Sequence, residues 1–425
     1  MTKVITKTAA GKASRNVRRR ETCRLCGGKR LELVLALAPT PVADAYLPEA
    51  RWAAHQEKFP LDLFLCLDCA HAHLLDVVDP EILYRDYIYV TLSSLGLEAH
   101  FQKYADDVLA RVKPLKGGLV VEFGSNDGTL LRGFAKRGMK VLGVDPAREI
   151  ARQATASGIE TLPEYFTAAL ARKIRAEKGA ASIIVANNVM ANIDVLDDVM
   201  EGIKSLLSPE GVFIFETGYL LDTVKNSVFD NIYHEHISYH SVRPFQAFFK
   251  RHGMELQFVE RVETKGGSLR GTVQLAGGSR PVSPTVAEFI AREDAAGLHK
   301  PETYKAWGAR LQKTKKELHA LLGRLKKEGK TIAGYGASHS VTTLLHHFDI
   351  AQYLSFLVDD NPRKFDTFSP GHHIPVFASK ALYERKPDYV VILPWRFGDP
   401  IIKKNQAFQD QGGRFISVLP KVEIL

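Results

Sequence analysis

Leu119-Val-Val-Glu122-Phe-Gly124-Ser-Asn126-Asp-Gly128-Thr-Leu-Leu131 is the stretch whose reading decides the fold. Leu119 to Phe123 is a short apolar run, Gly124 to Gly128 a glycine-bounded turn, and TLLRGFAKRG after it has the spacing of a helix. The same unit recurs outward from it. MKVLGVD (139–145) is a second strand ending in an acid, and SIIVANN (182–188) and GVFIFE (211–216) are further strands, each preceded by helix-like sequence. Such alternation predicts a doubly wound, mainly parallel sheet. Ligands of these sheets bind at the carboxyl ends of the strands, where Glu122, Asp145, Asn187, Asn188 and Glu216 fall.

The turn has two of the three glycines of a dinucleotide fingerprint. It matches instead the E/D-x-G-x-x-x-G turn of class I S-adenosylmethionine (SAM) methyltransferases, other nucleotide binders remaining open. Gly124 and Gly128 would let a ligand approach the backbone, and Asp145 would accept hydrogen bonds from both ribose hydroxyls. Glu122 would organise the turn, with Asn126 and Pro146 beside it. Tyr165, in LPEYF (162–166), lies where the adenine should stack, unless that segment is a plain turn. Asn187 and Asn188 would face donor or substrate.

All four cysteines lie in the first 70 residues, as Cys23-x-x-Cys26 and Cys66-x-x-Cys69. Two such knuckles around strand-like LELVLAL (31–37) and FPLDLFLCLD (59–68) predict a small module on tetrahedral structural zinc. Four sulfurs leave no open position for catalysis, so His71 and His73 are expected to be surface polar residues.

The composition is that of a soluble globular protein: 45% hydrophobic and 25% charged over 425 residues, enough for two or three domains. The net charge of +9 is concentrated in Lys3, Lys7, Lys12, Arg15, Arg18, Arg19 and Arg20; this arm carries +7 with no acid, leaving +2 for the rest. We expect residues 1–20 to be a disordered arm and the near-neutral body not to bind nucleic acid. No apolar run approaches the roughly 20 residues of a membrane span, and residues 1–20 hold no apolar leader core. A cytoplasmic protein without membrane partners is therefore expected.

A second chemical segment is Asn231-Ile-Tyr233-His234-Glu235-His236-Ile-Ser-Tyr239-His240. The zincin pattern fails because Ser238 holds the second histidine position, and the pair His234 and His236 lacks a clear third ligand. A general base positioned by Glu235 suits the segment better, with histidines that merely buttress a loop as the bland alternative. Residues 283–328 read as long helices. TIAGY (331–335) and the strands near 354–360, 389–393 and 413–419 then form a second α/β unit. Its loop, with Tyr335, Gly336 and Ser338, is a candidate pyrophosphate cradle, or simply a helix cap. Pro394-Trp395-Arg396 is a further contact candidate.

Taken with Tyr87-Ile-Tyr89, EFGSNDGTLL (122–131), VLGVDPA (141–147), ANNVMAN (186–192), YHEHISYHS (233–241), GGSLR (266–270), GYGAS (334–338), VDDNP (358–362) and SPGHHIPV (369–376), the chain resembles the sugar C-methyltransferases that act on nucleotide-linked deoxysugars such as those leading to tetronitrose and mycarose. After the basic arm (1–20), the resemblance implies an α/β protein of three parts: a zinc module (21–80), a SAM-binding Rossmann-like domain (81–280) and a C-terminal Rossmann-like domain (281–425) that helps hold the nucleotide-sugar. It implies His236 as base, Tyr233 and Glu235 in the same site, and Tyr87 near the sulfonium. His234 and Lys265 are expected on the substrate side. Three departures stand out: Asn192 where relatives commonly carry histidine, Lys265 where they carry histidine before GGSLR, and GYGASHSVTT (334–343), with Ser340 at a usual lysine. Asn192 can donate a hydrogen bond but cannot take a proton; Lys265 would support an oxyanion or phosphate, or simply be solvated. The acceptor is thus expected to differ from the usual dTDP-4-keto-6-deoxysugar. O- or N-methylation of a related molecule is the alternative, and a monomer or weak homo-oligomer is expected.

Overall fold

A computed structural model describes residues 16–84 and 97–425, with only the backbone at Leu97 and Lys265. The central sheet has seven strands in the order Met254–Val262, Ser268–Leu275, Leu207–Gly218, Ala181–Asn187, Leu119–Phe123, Lys140–Val144, Thr161–Leu162. Five run parallel, and Ser268–Leu275 is antiparallel to its neighbours. Ile183 and Val185 point to one face, packing with Tyr104, Leu131 and Phe134; Ile184 and Ala186 point to the other, with Phe213, Phe215 and Phe249. That alternation along a continuous apolar run is what a strand covered by helices on both faces requires. The crossover helices follow from local sequence: Thr167 accepts from Leu170 N at 3.2 Å and so starts Ala168–Lys178 as an N-cap. Strand order reverses between Leu119–Phe123 and Ala181–Asn187, which opens a crevice there.

The N-terminal module is less self-contained than its sequence suggests. Its antiparallel sheet runs Leu31–Thr40, Phe59–Cys66, Ala72–Leu74 and then Ser238–Tyr239, a strand lent by the histidine-rich segment. Residues 16–20 of the expected disordered arm are ordered. Val17–Arg19 pairs antiparallel with Asp76–Val78, Arg19 bonds Asp76 at 2.5 Å, and Arg18 and Arg20 both reach Asp194. Two acids, Asp76 and Asp194, and a free strand edge order residues that charge alone marks as a solvated tail. Residues 1–15 lie outside the described residues.

In the C-terminal domain five parallel strands, Arg414–Ser417, Tyr389–Ile392, Ile332–Tyr335, Leu357–Asp359 and Pro375–Ala378, carry antiparallel edges, one of them closed by Leu47–Pro48 of the N-terminal module. The helix Pro301–Lys327 buries Tyr304, Trp307, Leu311, Leu318, Leu322 and Leu325 on one stripe. It meets Leu35 and Leu63 of the module and Val341 and Phe348 of the domain in a single core. The helix Pro284–Ala295 belongs instead with the central domain: Glu293 accepts from Val242 N (2.7 Å), Arg243 N (3.1 Å) and the Tyr219 hydroxyl (3.1 Å), capping the helix Val242–Arg251 from outside. Among the described residues no helix is long and apolar enough to cross a membrane.

Candidate active site

A cavity of about 900 Å³ opens at the carboxyl ends of the central strands, lined by residues of all three domains. On its donor side the turn after Leu119–Phe123 is shaped by backbone conformation. Gly124 has φ +67° and packs so close to Val189 that a Cβ would lie 2.9 Å from it. Asn126 and Asn188, at the cavity edge, are also left-handed (φ 49° and 56°), a region asparagine tolerates better than most residues. Asp145 holds the turn: its carboxylate accepts from Asn126 N at 2.8 Å and from Ala147 N at 2.9 Å. Burial raises its pKa, opposed by those two bonds. Each oxygen retains a lone pair for a ligand hydroxyl.

Glu122 does not organise the turn as expected. No hydrogen bond to it comes from the turn, and Oε2 is buried without a partner, as are both polar side-chain atoms of Asn187. Burial, then the neighbouring Asp127 and Asp145, push the Glu122 carboxyl well above its usual range. Orphaned buried atoms facing a cavity are the mark of a polar ligand. Pro146, Tyr165, Phe166 and Asn187 line the same wall. Gly128 does not; it starts the helix Thr129–Lys136 at φ +75°, with a notional Cβ 2.9 Å from Ile159, so its need is packing. Glu216 is consumed in a buried cluster. It accepts from Arg270 (2.8 and 3.1 Å) and Thr264 Oγ1 (2.7 Å) and bonds the His100 imidazole at 3.2 Å, while its carbonyl accepts from Asn188 N at 2.6 Å.

Across the cavity stand Tyr233, Glu235, His236 and Asn192. His236 Nδ1 lies 3.1 Å from the Asn231 carbonyl, and its Nε2 lies 3.1 Å from the Tyr233 hydroxyl. A carbonyl can only accept, so Nδ1 carries the proton and Nε2 presents its lone pair, to which the phenol donates. Burial, then the adjacent Glu235, hold Tyr233 well above its usual pKa, so it stays a phenol. Burial likewise raises Glu235, whose Oε2 lies 3.8 Å from His339 Nε2.

The other expected contacts are elsewhere. His234 turns away, its Nε2 at 3.3 Å from the Phe59 carbonyl and its ring edge-on to Phe59; burial lowers it to about 4. The pair His234 and His236 therefore does not converge on a metal. Tyr335 donates to Asp360 at 2.7 Å, Gly336 (φ +106°) packs on Pro394, and Ser338 sits at the start of the helix His339–Phe348 with its hydroxyl 3.2 Å from Ser340. None of the three lines the cavity. The C-terminal domain contributes His339, the residue after Ser338, together with Arg396 of the expected Pro394-Trp395-Arg396 segment and its neighbour Phe397. Tyr87 and the Lys265 side chain lie outside the described residues, whereas Tyr84 lines the cavity. Asn16, Val17 and Arg18 line it too, a contribution hidden in sequence by their membership of a charge run.

The four cysteine sulfurs lie within 4.8 Å of one another, with Cys23–Cys69 and Cys26–Cys66 each 3.6 Å apart. Tetrahedral zinc–thiolate bonds place sulfurs about 3.8 Å apart, so the donor set fits zinc. The knuckles match: Gly27 N donates to Cys23 O (2.9 Å) and Ala70 N to Cys66 O (2.8 Å), with both residues left-handed. Hydrogen bonding to Cys66 leads in pushing Cys23 up to about 12, which a bound cation would relieve. His71 and His73 are fully buried, against expectation, since the module's sheet is covered by the lent strand. They stack with each other and His71 with His240, at 5.0 and 5.5 Å, and Arg24 bonds His73 at 2.9 Å.

A seven-stranded sheet of this order, an acid on strand two and a ligand cavity at the switch point define a class I SAM-dependent methyltransferase. Matches to family models cover three successive stretches: a putative zinc binding domain over residues 23–84, a methyltransferase domain over 97–257 and a C-methyltransferase C-terminal domain over 263–420, the last beginning before the strand Ser268–Leu275 of the central sheet. The C-methyltransferase NovU of Streptomyces niveus is 33% identical over 410 residues, covering 96% of this chain and 98% of that protein. The chain belongs to this C-methyltransferase family. Solved structures similar to the central part include the CcbJ methyltransferase of Streptomyces caelestis (14% identity, 46% of this chain, 98% of that one, TM-score 0.36) and magnesium protoporphyrin IX methyltransferase of Synechocystis PCC 6803 with bound SAH (16%, 47%, 100%, TM-score 0.36).

Proposed function

We propose that the protein C-methylates a keto-deoxysugar carried on a nucleotide, with His236 as general base. The observation that carries the reading is that one cavity joins the donor turn (Glu122, Gly124, Asp145) to Tyr233, Glu235 and His236. SAM supplies an activated methyl group; Asp145 would hold its ribose, and Glu122 and Asn187 offer polar atoms for its amino-acid end. His236 Nε2 accepts the proton alpha to the acceptor's carbonyl, and the C–H electron pair moves onto the carbonyl oxygen. An acceptor carbonyl would displace the bond between Tyr233 and His236 and receive the phenol's hydrogen bond as negative charge develops. The new C–C bond forms as the donor's S–CH₃ bond breaks, and the imidazolium returns its proton to solvent. Asn192 and Glu235 remain to hold sugar hydroxyls. Because the donor's methyl group is already activated, the chain's contribution beyond the base is mainly positioning.

Purified protein with SAM and dTDP-, GDP- and CDP-keto-sugars should add about 14 Da, one methylene, to one of them. With an acceptor deuterated at the carbon alpha to the ketone, C-methylation should release that deuterium to solvent, so that the gain falls to about 13 Da. Methyl transfer that retains the deuterium would mean O- or N-methylation. His236→Ala should abolish turnover and leave SAM affinity intact; turnover persisting in this variant would remove His236 from the base role.

A further inference from the structure

Arg396 comes into the cavity from the C-terminal domain, on the short turn Trp395–Phe397 that follows the strand Tyr389–Ile392. Its Nη1 donates to both carboxylate oxygens of Asp230, at 2.9 and 3.2 Å, and its Nη2 donates to the Asn231 side-chain oxygen at 3.1 Å. Asp230 is completely buried, so without the guanidinium it would be an uncompensated charge. Burial pushes its carboxyl up and Arg396 pulls it back. The approach is close: Gly266 has φ +88°, and a Cβ there would lie 3.1 Å from Arg396 Cδ.

The residue Arg396 clamps is the one that orients the base. Asn231 offers its side chain to Arg396 and its backbone carbonyl to His236 Nδ1, at 3.1 Å each. A two-pronged grip on Asp230 and Asn231 aims that carbonyl. The carbonyl keeps the proton on Nδ1, and the basic lone pair is left on Nε2 beside Tyr233.

We infer that Arg396 is a positioning residue: from the C-terminal domain it sets the tautomer and direction of the His236 imidazole, so the base is assembled only when that domain is docked. The catalytic consequence rests on His236 being the base; the tautomer consequence does not.

The test labels histidine with ¹⁵N and reads the ring nitrogens by long-range ¹H–¹⁵N correlation, with His236 assigned from its disappearance in His236→Gln. The wild-type ring should be protonated at Nδ1. In Arg396→Ala the two tautomers should mix and kcat should fall about 10–100-fold, the scale of a small misplacement of reacting groups, while SAM affinity stays within about twofold. Arg396→Lys, which can reach Asp230 but lacks the planar fork, should recover part of both, and it serves as the test variant should the alanine form fail to fold. A His236 ring still wholly protonated at Nδ1 in these variants overturns the inference. Unchanged turnover in His236→Ala, beside a tautomer that does shift, would overturn the base reading alone.

Discussion

Glu216→Gln tests whether the floor of the active site is held by a buried charge pair. In the wild type the Glu216 side chain is about 1% exposed and the Arg270 side chain 5% exposed, and two hydrogen bonds join them. Burial acts to raise the carboxyl, but the bond to His100 and the charge of Arg270 outweigh it and bring it from 4.5 down to about 2. At 1.36 kcal/mol per pKa unit that displacement is worth about 3 kcal/mol of stability. Breaking a buried pair by neutralising one partner costs about 3–5 kcal/mol by an independent route, and the two figures agree. For a domain of this size the loss should appear as a fall of about 6–12 °C in the melting temperature of the central domain at neutral pH. Because the folded pKa is depressed, the stabilisation is complete above pH 4.5 and disappears as pH falls through about 2. The gap between wild type and variant in thermal scans should therefore narrow across that window. A gap under about 1 kcal/mol at neutral pH, or one that stays constant down to about pH 3, would refute the reasoning. Since the Glu216 carbonyl also receives Asn188 N, a loosened strand end should weaken SAM binding as well.

Asp145→Asn loses a charge-assisted acceptor and turns an amide N–H toward the backbone N–H of Asn126 or Ala147. SAM should bind about 10–100-fold more weakly by calorimetry, with the circular dichroism unchanged; an affinity within about threefold of wild type would take the ribose role from Asp145. Metal analysis should find about one zinc per chain, reduced by more than half in Cys66→Ser. Because Ser238–Tyr239 pairs with the strand after the second knuckle, chelation should also raise hydrogen exchange at those two amides, and unchanged protection there would separate the zinc module from the histidine-rich segment.

Local chemistry was legible in the one-dimensional chain wherever neighbours in sequence act together. The alternation of Ile183 to Ala186 marks a two-faced buried strand, the glycine turn marks the donor loop, and two CxxC pairs mark a four-sulfur site, because strand period, turn conformation and metal-ligand spacing are properties of a few consecutive residues. What the sequence could not determine is which side chains from distant segments meet. His71 and His73 looked exposed until Ser238–Tyr239 completed their sheet, and Arg18 and Arg20 looked like a solvated tail until Asp194 came beside them. His234 and His236 stand two residues apart and face different surroundings, one against Phe59 and the other in the cavity. Arg396 reaches Asp230 only because the shared apolar core docks the C-terminal sheet onto the module and the histidine-rich segment. Burial and long-range pairing decide protonation, tautomer and exposure, and these are set by packing between segments that carry no record of one another in their local sequence.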